Sequence, residues 1–131
     1  MARLLVVDDE PDMCDLLTRR LVREGHEILA ADGAVTAWEL VERHGMPDAV
    51  ILDVDMPGTD GFALLEQLRG RDCALPALFI TVLWHGDVHS RIQQLGAVFV
   101  AKPFTAAQLH TGVRRLLSPG PAGGAAPGRP S

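Results

Sequence analysis

The chain predicts a doubly wound α/β fold: a five-stranded parallel sheet of order 2-1-3-4-5 in a three-layer α/β/α arrangement. Three observations carry this. Apolar runs of strand length alternate with helical patterns five times, with short connectors between them. The central run, Ala49 to Leu52, has no polar member and reads as a strand buried on both faces. Charged residues stand where several of the runs stop, which is where open α/β sheets bind their ligands.

The first strand is Arg3 to Val7, and its apolar run ends in Asp8-Asp9-Glu10. Pro11 then fits the first turn of a helix, with the acids near its positive end. Met13, Leu16, Leu17 and Leu21 recur at helical spacing, and Gly25 ends the helix. A second, weaker strand runs from Glu27 to Ala31, and Asp32-Gly33 turns the chain. Ala34, Ala37, Trp38 and Val41 mark the second helix, which closes near Gly45-Met46-Pro47.

The third strand leads into Asp53, after which Pro57-Gly58 breaks the chain. A third helix spans about Thr59 to Gly70. Pro76 to Val82 reads as the fourth strand. Val88, Ile92 and Leu95 give the fourth helix, stopped by Gly96, and Ala97 to Val100 the fifth strand, closed by Lys102-Pro103. Ala106, Leu109, Val113, Leu116 and Leu117 give the last helix, which Gly112 is expected to weaken. From Ser118 the chain is Pro/Gly-rich and lacks large apolar residues. The expected division is therefore a folded domain over residues 1–117 and a disordered tail or linker over 118–131.

Composition narrows the function. A length of 131 residues suits one domain with a real core. The net charge of −5 argues against nucleic acid or an anionic membrane as the main partner. No apolar run approaches the roughly 20 residues that span a bilayer, and no secretion signal is evident, so a cytoplasmic protein is expected. Cys14 and Cys73 form neither a disulfide framework nor a metal spacing and are expected as free thiols. Eleven of the twelve basic residues are Arg; the single Lys is Lys102. That raises the question of what needs a compact ammonium.

The predicted strand ends answer it. The order 2-1-3-4-5 makes strands 1 and 3 neighbours, so Asp8, Asp9 and Asp53 converge at the switch point. Strand 4 contributes Thr81 and strand 5 Lys102. Three carboxylates this close repel, and their pKa values should rise unless cations compensate. Lys102 supplies one charge, and a hard divalent cation such as Mg²⁺ suits the oxygen ligands. The set fits phosphoryl transfer: cations on the equatorial oxygens, a hydrogen bond from Thr81 and a carboxylate attacking in line.

At these positions the chain resembles the receiver domain of two-component response regulators, whose fold is flavodoxin-like. The motifs are Val7-Asp8-Asp9-Glu10, Ile51 to Gly61, Ile80-Thr81 and Lys102-Pro103-Phe104, in order over residues 3 to about 117. The resemblance implies that Asp53 is the phosphoacceptor, charged by a histidine kinase or phosphotransfer protein. It implies Mg²⁺ on Asp9, Asp53 and the backbone carbonyl of Asp55, with Asp8 acting through water. Thr81 and Lys102 would bind phosphoryl oxygens, and the Lys102-Pro103 bond would be cis. Phe99 would be the aromatic switch that turns inward as Thr81 moves. Output would pass through the helix 4, strand 5, helix 5 face to a protein target, as a monomer or a phosphorylation-dependent dimer, with no direct nucleic-acid or membrane binding.

The sequence departs from the family pattern twice. Val82 follows Thr81 where a small residue is usual and is expected to crowd the phosphoryl pocket, while an apolar Leu83 is expected to slow hydrolysis. One residue fewer than usual separates Gly96 from Lys102, and Trp84 and His85 stand as candidates for a partner surface. Two other functions share some of these residues. Asp53-Val54-Asp55 after an apolar strand also resembles haloacid dehalogenase-type phosphatases, which would turn over phosphate esters. A pseudo-receiver would keep the fold and bind partners without taking phosphate.

Overall fold

The computed structural model describes residues 2–56, 58–82 and 86–118. Pro57, Leu83, Trp84, His85 and the tail from residue 119 lie outside the described residues, and with them the expectations placed on these positions.

Five strands alternate with five helices: β1 (Arg3–Val7), α1 (Pro11–Arg23), β2 (Glu27–Ala31), α2 (Ala34–His44), β3 (Ala49–Leu52), α3 (Gly61–Arg69), β4 (Ala77–Thr81), α4 (Gly86–Gln94), β5 (Val98–Ala101) and α5 (Ala106–Leu117). All pairings are parallel, in the order β2-β1-β3-β4-β5. Every residue of β3 and β4 is buried, because helices cover both faces of the central strands.

Strand alternation sorts the core into two layers. On one face Leu5, Val7, Val50, Leu52 and Phe79 pack with Ala37, Val41, Phe62, Leu65, Leu68 and Ile92 of α2, α3 and α4. On the other, Leu4, Val6, Ile51, Leu78 and Ile80 pack with Leu17, Leu21, Leu109, Val113 and Leu116 of α1 and α5. The rings of Phe62 and Phe79, 5.0 Å apart and tilted, bind α3 to the sheet.

Two helix ends matter for the site. At the end of α4, Gly96 takes φ 66°, its N–H donates to the Gln93 carbonyl, and the Ala97 N–H donates to Ile92. This pair of bonds satisfies the last carbonyls and turns the chain sharply into β5. The shortened stretch between Gly96 and Lys102 is accommodated here: β5 starts at Val98 rather than Ala97 and still delivers Lys102 opposite β4. Arg69 of α3 reinforces the corner by donating to the Leu95 and Leu75 carbonyls.

Gly112 proves to be a packing residue. It lies inside α5, buried, and a Cβ there would stand 2.8 Å from Val100 Cγ2 and 3.2 Å from Leu78 Cδ1. The helix propensity it forgoes is offset by the close approach of α5 to the sheet. The helix is also held at its start, where Thr105 and Gln108 form a reciprocal capping box.

Candidate functional site

The sheet carries the site residues on the backbone just past its strands. The Asp8 N–H donates to the Ala31 carbonyl, Asp53 N–H to Val7, and Lys102 N–H to Thr81, at 3.1, 3.2 and 3.1 Å. These bonds extend the parallel ladders one step beyond the strands. They fix two acids and the lysine along one edge through the backbone alone.

The side chains then converge. Lys102 Nζ lies 2.8 Å from Asp53 Oδ2, 3.1 Å from Asp8 Oδ2 and 2.9 Å from Glu10 Oε1. Asp8 and Asp53 are buried, and the Lys102 side chain is only 7% exposed. The second oxygen of each aspartate is also held: Asp8 Oδ1 accepts from the Glu10 N–H and Asp53 Oδ1 from the Asp55 N–H. Lys102-Pro103 is a cis peptide, as the resemblance implied.

Burial pushes the Asp8 carboxyl above the usual range; the Glu10 N–H and the Lys102 ammonium resist the shift, and the charge of Asp53 adds a smaller upward push. Desolvation therefore outweighs the carboxylate repulsion anticipated from the sequence. Burial pulls the Lys102 ammonium the other way, yet its pKa is raised, because hydrogen bonds to Asp53 and Glu10 and the charges of Asp53 and Asp8 overcome desolvation.

Thr81 is fully buried at the end of β4, aligned with Ala101 of β5. Phe99 is half-buried on β5 and meets the His89 ring of α4 edge-on at 5.6 Å. Asp55 is exposed, and its N–H supports Asp53. Val82 is 60% exposed, which leaves most of its surface in solvent rather than crowding the site. Cys14 and Cys73 are free thiols, the first half-buried and the second exposed.

Gly61 explains the tight turn after Asp53. A Cβ on Gly61 would run into the Asp53 carbonyl oxygen and lie 3.1 Å from Val54 Cα, while the Gly61 N–H donates to the Val54 carbonyl. Only glycine lets α3 begin this close to the Asp53 backbone. Asp60 then caps α3 by accepting from the Ala63 N–H.

Carboxylate oxygens of Asp8, Glu10 and Asp53 lie within 4.8 Å of one another. An all-oxygen anionic set of this size fits a hard divalent cation. The grouping differs from the one expected. Asp9, half-buried, is not a member, and Glu10, to which the motifs assigned no role, is. One faint signal for Glu10 was present in the sequence. It occupies the residue before Pro11, at the start of α1, where a long acidic side chain has little capping use.

Comparison with known proteins identifies the family. The family model for the response regulator receiver domain matches residues 4–114. The transcriptional regulatory protein TcrA of Mycobacterium tuberculosis is 42% identical over 125 residues, covering 91% of this chain and 47% of TcrA. The response regulator MprA of Mycobacterium leprae is 36% identical, covering 88% and 50%. Among solved structures, the non-phosphorylated HemR receiver domain of Leptospira biflexa superposes with a TM-score of 0.82 at 29% identity, covering 90% of this chain and 95% of that one. The chemotaxis protein CheY4 of Vibrio cholerae gives 0.82 at 26% identity, covering 89% and 99%. The chain belongs to the response regulator receiver domain family. It is a regulatory module of two-component signalling, and it spans about half the length of the curated relatives it matches.

Proposed function

We propose that this chain is a phosphoacceptor: Asp53 takes a phosphoryl group from phosphohistidine on a sensor kinase or phosphotransfer protein. The observation that carries the reading is the Lys102 ammonium set between the buried carboxylates of Asp53 and Asp8. A buried acid beside a fixed cation, at the carboxyl edge of a parallel sheet, is suited to in-line attack on phosphorus.

In the reaction an Asp53 carboxylate oxygen forms a bond to phosphorus. The P–N bond of the donor breaks, and its electron pair stays on the imidazole, which takes up a proton. Lys102 holds one phosphoryl oxygen and Thr81 donates to another. Bound Mg²⁺ would supply positive charge on the phosphoryl oxygens; Asp53, Asp9, the Asp55 carbonyl and, through water, Asp8 would hold it. Phe99 turns inward as Thr81 engages the phosphoryl group, altering the α4-β5-α5 face for a downstream protein target. A cleft lined by Phe99, Ala101, Gln108 and Arg115 lies on that face.

No described helix is long and apolar enough to cross a membrane, and the net charge of −5 disfavours direct nucleic-acid binding by this unit. Intact-protein mass after incubation with a phosphorylated histidine donor and Mg²⁺ tests the reading. One phosphoryl group per chain is expected. Continued turnover of phosphate esters would indicate a phosphatase, and no incorporation an interaction module.

A further inference from the structure

Lys102 has three N–H donors, and each faces a carboxylate oxygen: Asp53 Oδ2, Asp8 Oδ2 and Glu10 Oε1. An ammonium has no fourth donor. A phosphoryl oxygen that takes one of these donors displaces an acid from it. Asp53, once phosphorylated, keeps an accepting oxygen but loses its carboxylate charge, so the charged competitors are Asp8 and Glu10. The structure ranks them by the cost of release. The Asp8 and Asp53 side chains are 2% and 9% exposed, whereas that of Glu10 is 62% exposed. A carboxylate already open to water is re-solvated as soon as it lets go; a buried one is left desolvated.

The position of Glu10 supports this independently. It is the N-cap residue of α1, where Ser, Thr, Asp or Asn would bond the exposed helix amides, yet its side chain makes no capping bond. Its backbone stays anchored: the N–H donates to Asp8 Oδ1, and the carbonyl accepts from the Cys14 N–H. The side chain, longer than a capping serine, extends to Lys102 instead. The Glu10 side chain thus serves Lys102 rather than the helix amides.

We propose that Glu10 is a positioning residue that holds the third donor of Lys102 in the unphosphorylated state and yields it to the phosphoryl group. This rests on the phosphoacceptor reading and adds a competitor to it. Glu10 thereby sets how readily the site accepts phosphoryl, through an exposed contact of modest strength. Glu10→Gln removes the charge. Glu10→Asp keeps the charge but withdraws it by one methylene, which separates loss of the contact from loss of charge.

The test is beryllofluoride affinity at saturating Mg²⁺, with Mg²⁺ affinity measured separately for each variant. Both variants should bind the phosphoryl mimic about two- to fivefold more tightly than the wild type, the range an exposed ion pair supports. A second readout uses metal-free protein. Lysine is unique in the sequence, so ¹⁵N-lysine labelling gives a single ammonium signal. That signal should shift, and its protons exchange faster, in both variants. Unchanged or weaker beryllofluoride binding in both, or an unmoved ammonium signal, overturns the proposal. If wild type itself fails to bind beryllofluoride, the phosphoacceptor reading falls, and this inference with it.

Discussion

Lys102 Nζ stands 2.8 Å from Asp53 Oδ2, joining residues 49 positions apart through two nearly buried side chains. Lys102 is the only side-chain cation in contact with the site carboxylates among the described residues. Replacing it with methionine leaves two buried acids without their partner. Lys102→Met should cost about 3 kcal/mol of stability, the lower end for breaking a buried pair, and Mg²⁺ should restore part of it by binding the native state. Urea unfolding with and without Mg²⁺ checks both. A variant as stable as wild type in the absence of metal would show that the pair is energetically idle.

The shifted pKa values of Lys102 and Asp8 predict opposite ends of a pH profile. Lys102 is raised, so its contribution is fully present below its unfolded value of 10.5 and is lost as pH climbs beyond that. Asp8 is also raised, so the folded state binds its proton more tightly than the unfolded chain does. Stability then falls as pH rises from 3.8 through the folded value of Asp8. Asp8→Asn should consequently be more stable than wild type at pH 7 without metal, and should flatten the acidic part of the profile. Chemical denaturation across the acidic and alkaline ranges reads both limbs; a less stable Asn variant at neutral pH would contradict the sign.

Gly61→Ala places a methyl group against the Asp53 carbonyl oxygen and beside Val54 Cα. Backbone on both sides cannot rotate away as a flexible side chain would. We expect a loss of about 1–3 kcal/mol and slower phosphorylation, because the turn that presents Asp53 must move. Wild-type stability and rate together would contradict the close approach.

Gly112→Ala tests packing away from the site. Alanine gains about 1 kcal/mol of helix propensity but meets Val100 Cγ2 at 2.8 Å. Valine is stiff at χ1, so α5 must shift outward. A net loss of stability, with Mg²⁺ affinity unchanged, is the expected outcome of thermal and metal titrations.

Metal affinity also separates two carboxylates. If Asp9 holds Mg²⁺ as the family resemblance implies, Asp9→Asn should weaken Mg²⁺ binding more than Glu10→Gln. Equal losses, or a larger one for Glu10, would assign the ion to the group of Asp8, Glu10 and Asp53.

The sheet order and most strand ends were legible because apolar runs such as Leu4 to Val7 and Ala49 to Leu52 stop abruptly at acids. β5 was shifted by one residue, since Ala97 is consumed in the bonds that end α4. Gly112 looked like a weak point because propensity is local, whereas its reason is contact with Val100 and Leu78. The strand-end positions of Asp53, Asp8, Thr81 and Lys102 were legible from where the apolar runs stop. The reach of Glu10 was not. Its charge suits a helix start although glutamate is not a usual cap, and a side chain crossing from residue 10 to residue 102 leaves no trace in spacing. Nor was the cause of the Asp8 shift legible, because burial depends on packing from every side.

The phosphoacceptor assignment is tested most directly by reducing the phosphorylated protein with borohydride and mapping its peptides, since an acyl phosphate on aspartate is converted to homoserine. Modification at position 53 alone, and no phosphoryl incorporation in Asp53→Asn, is the predicted result. Modification at any other residue in the wild type, or undiminished incorporation in Asp53→Asn, would contradict it.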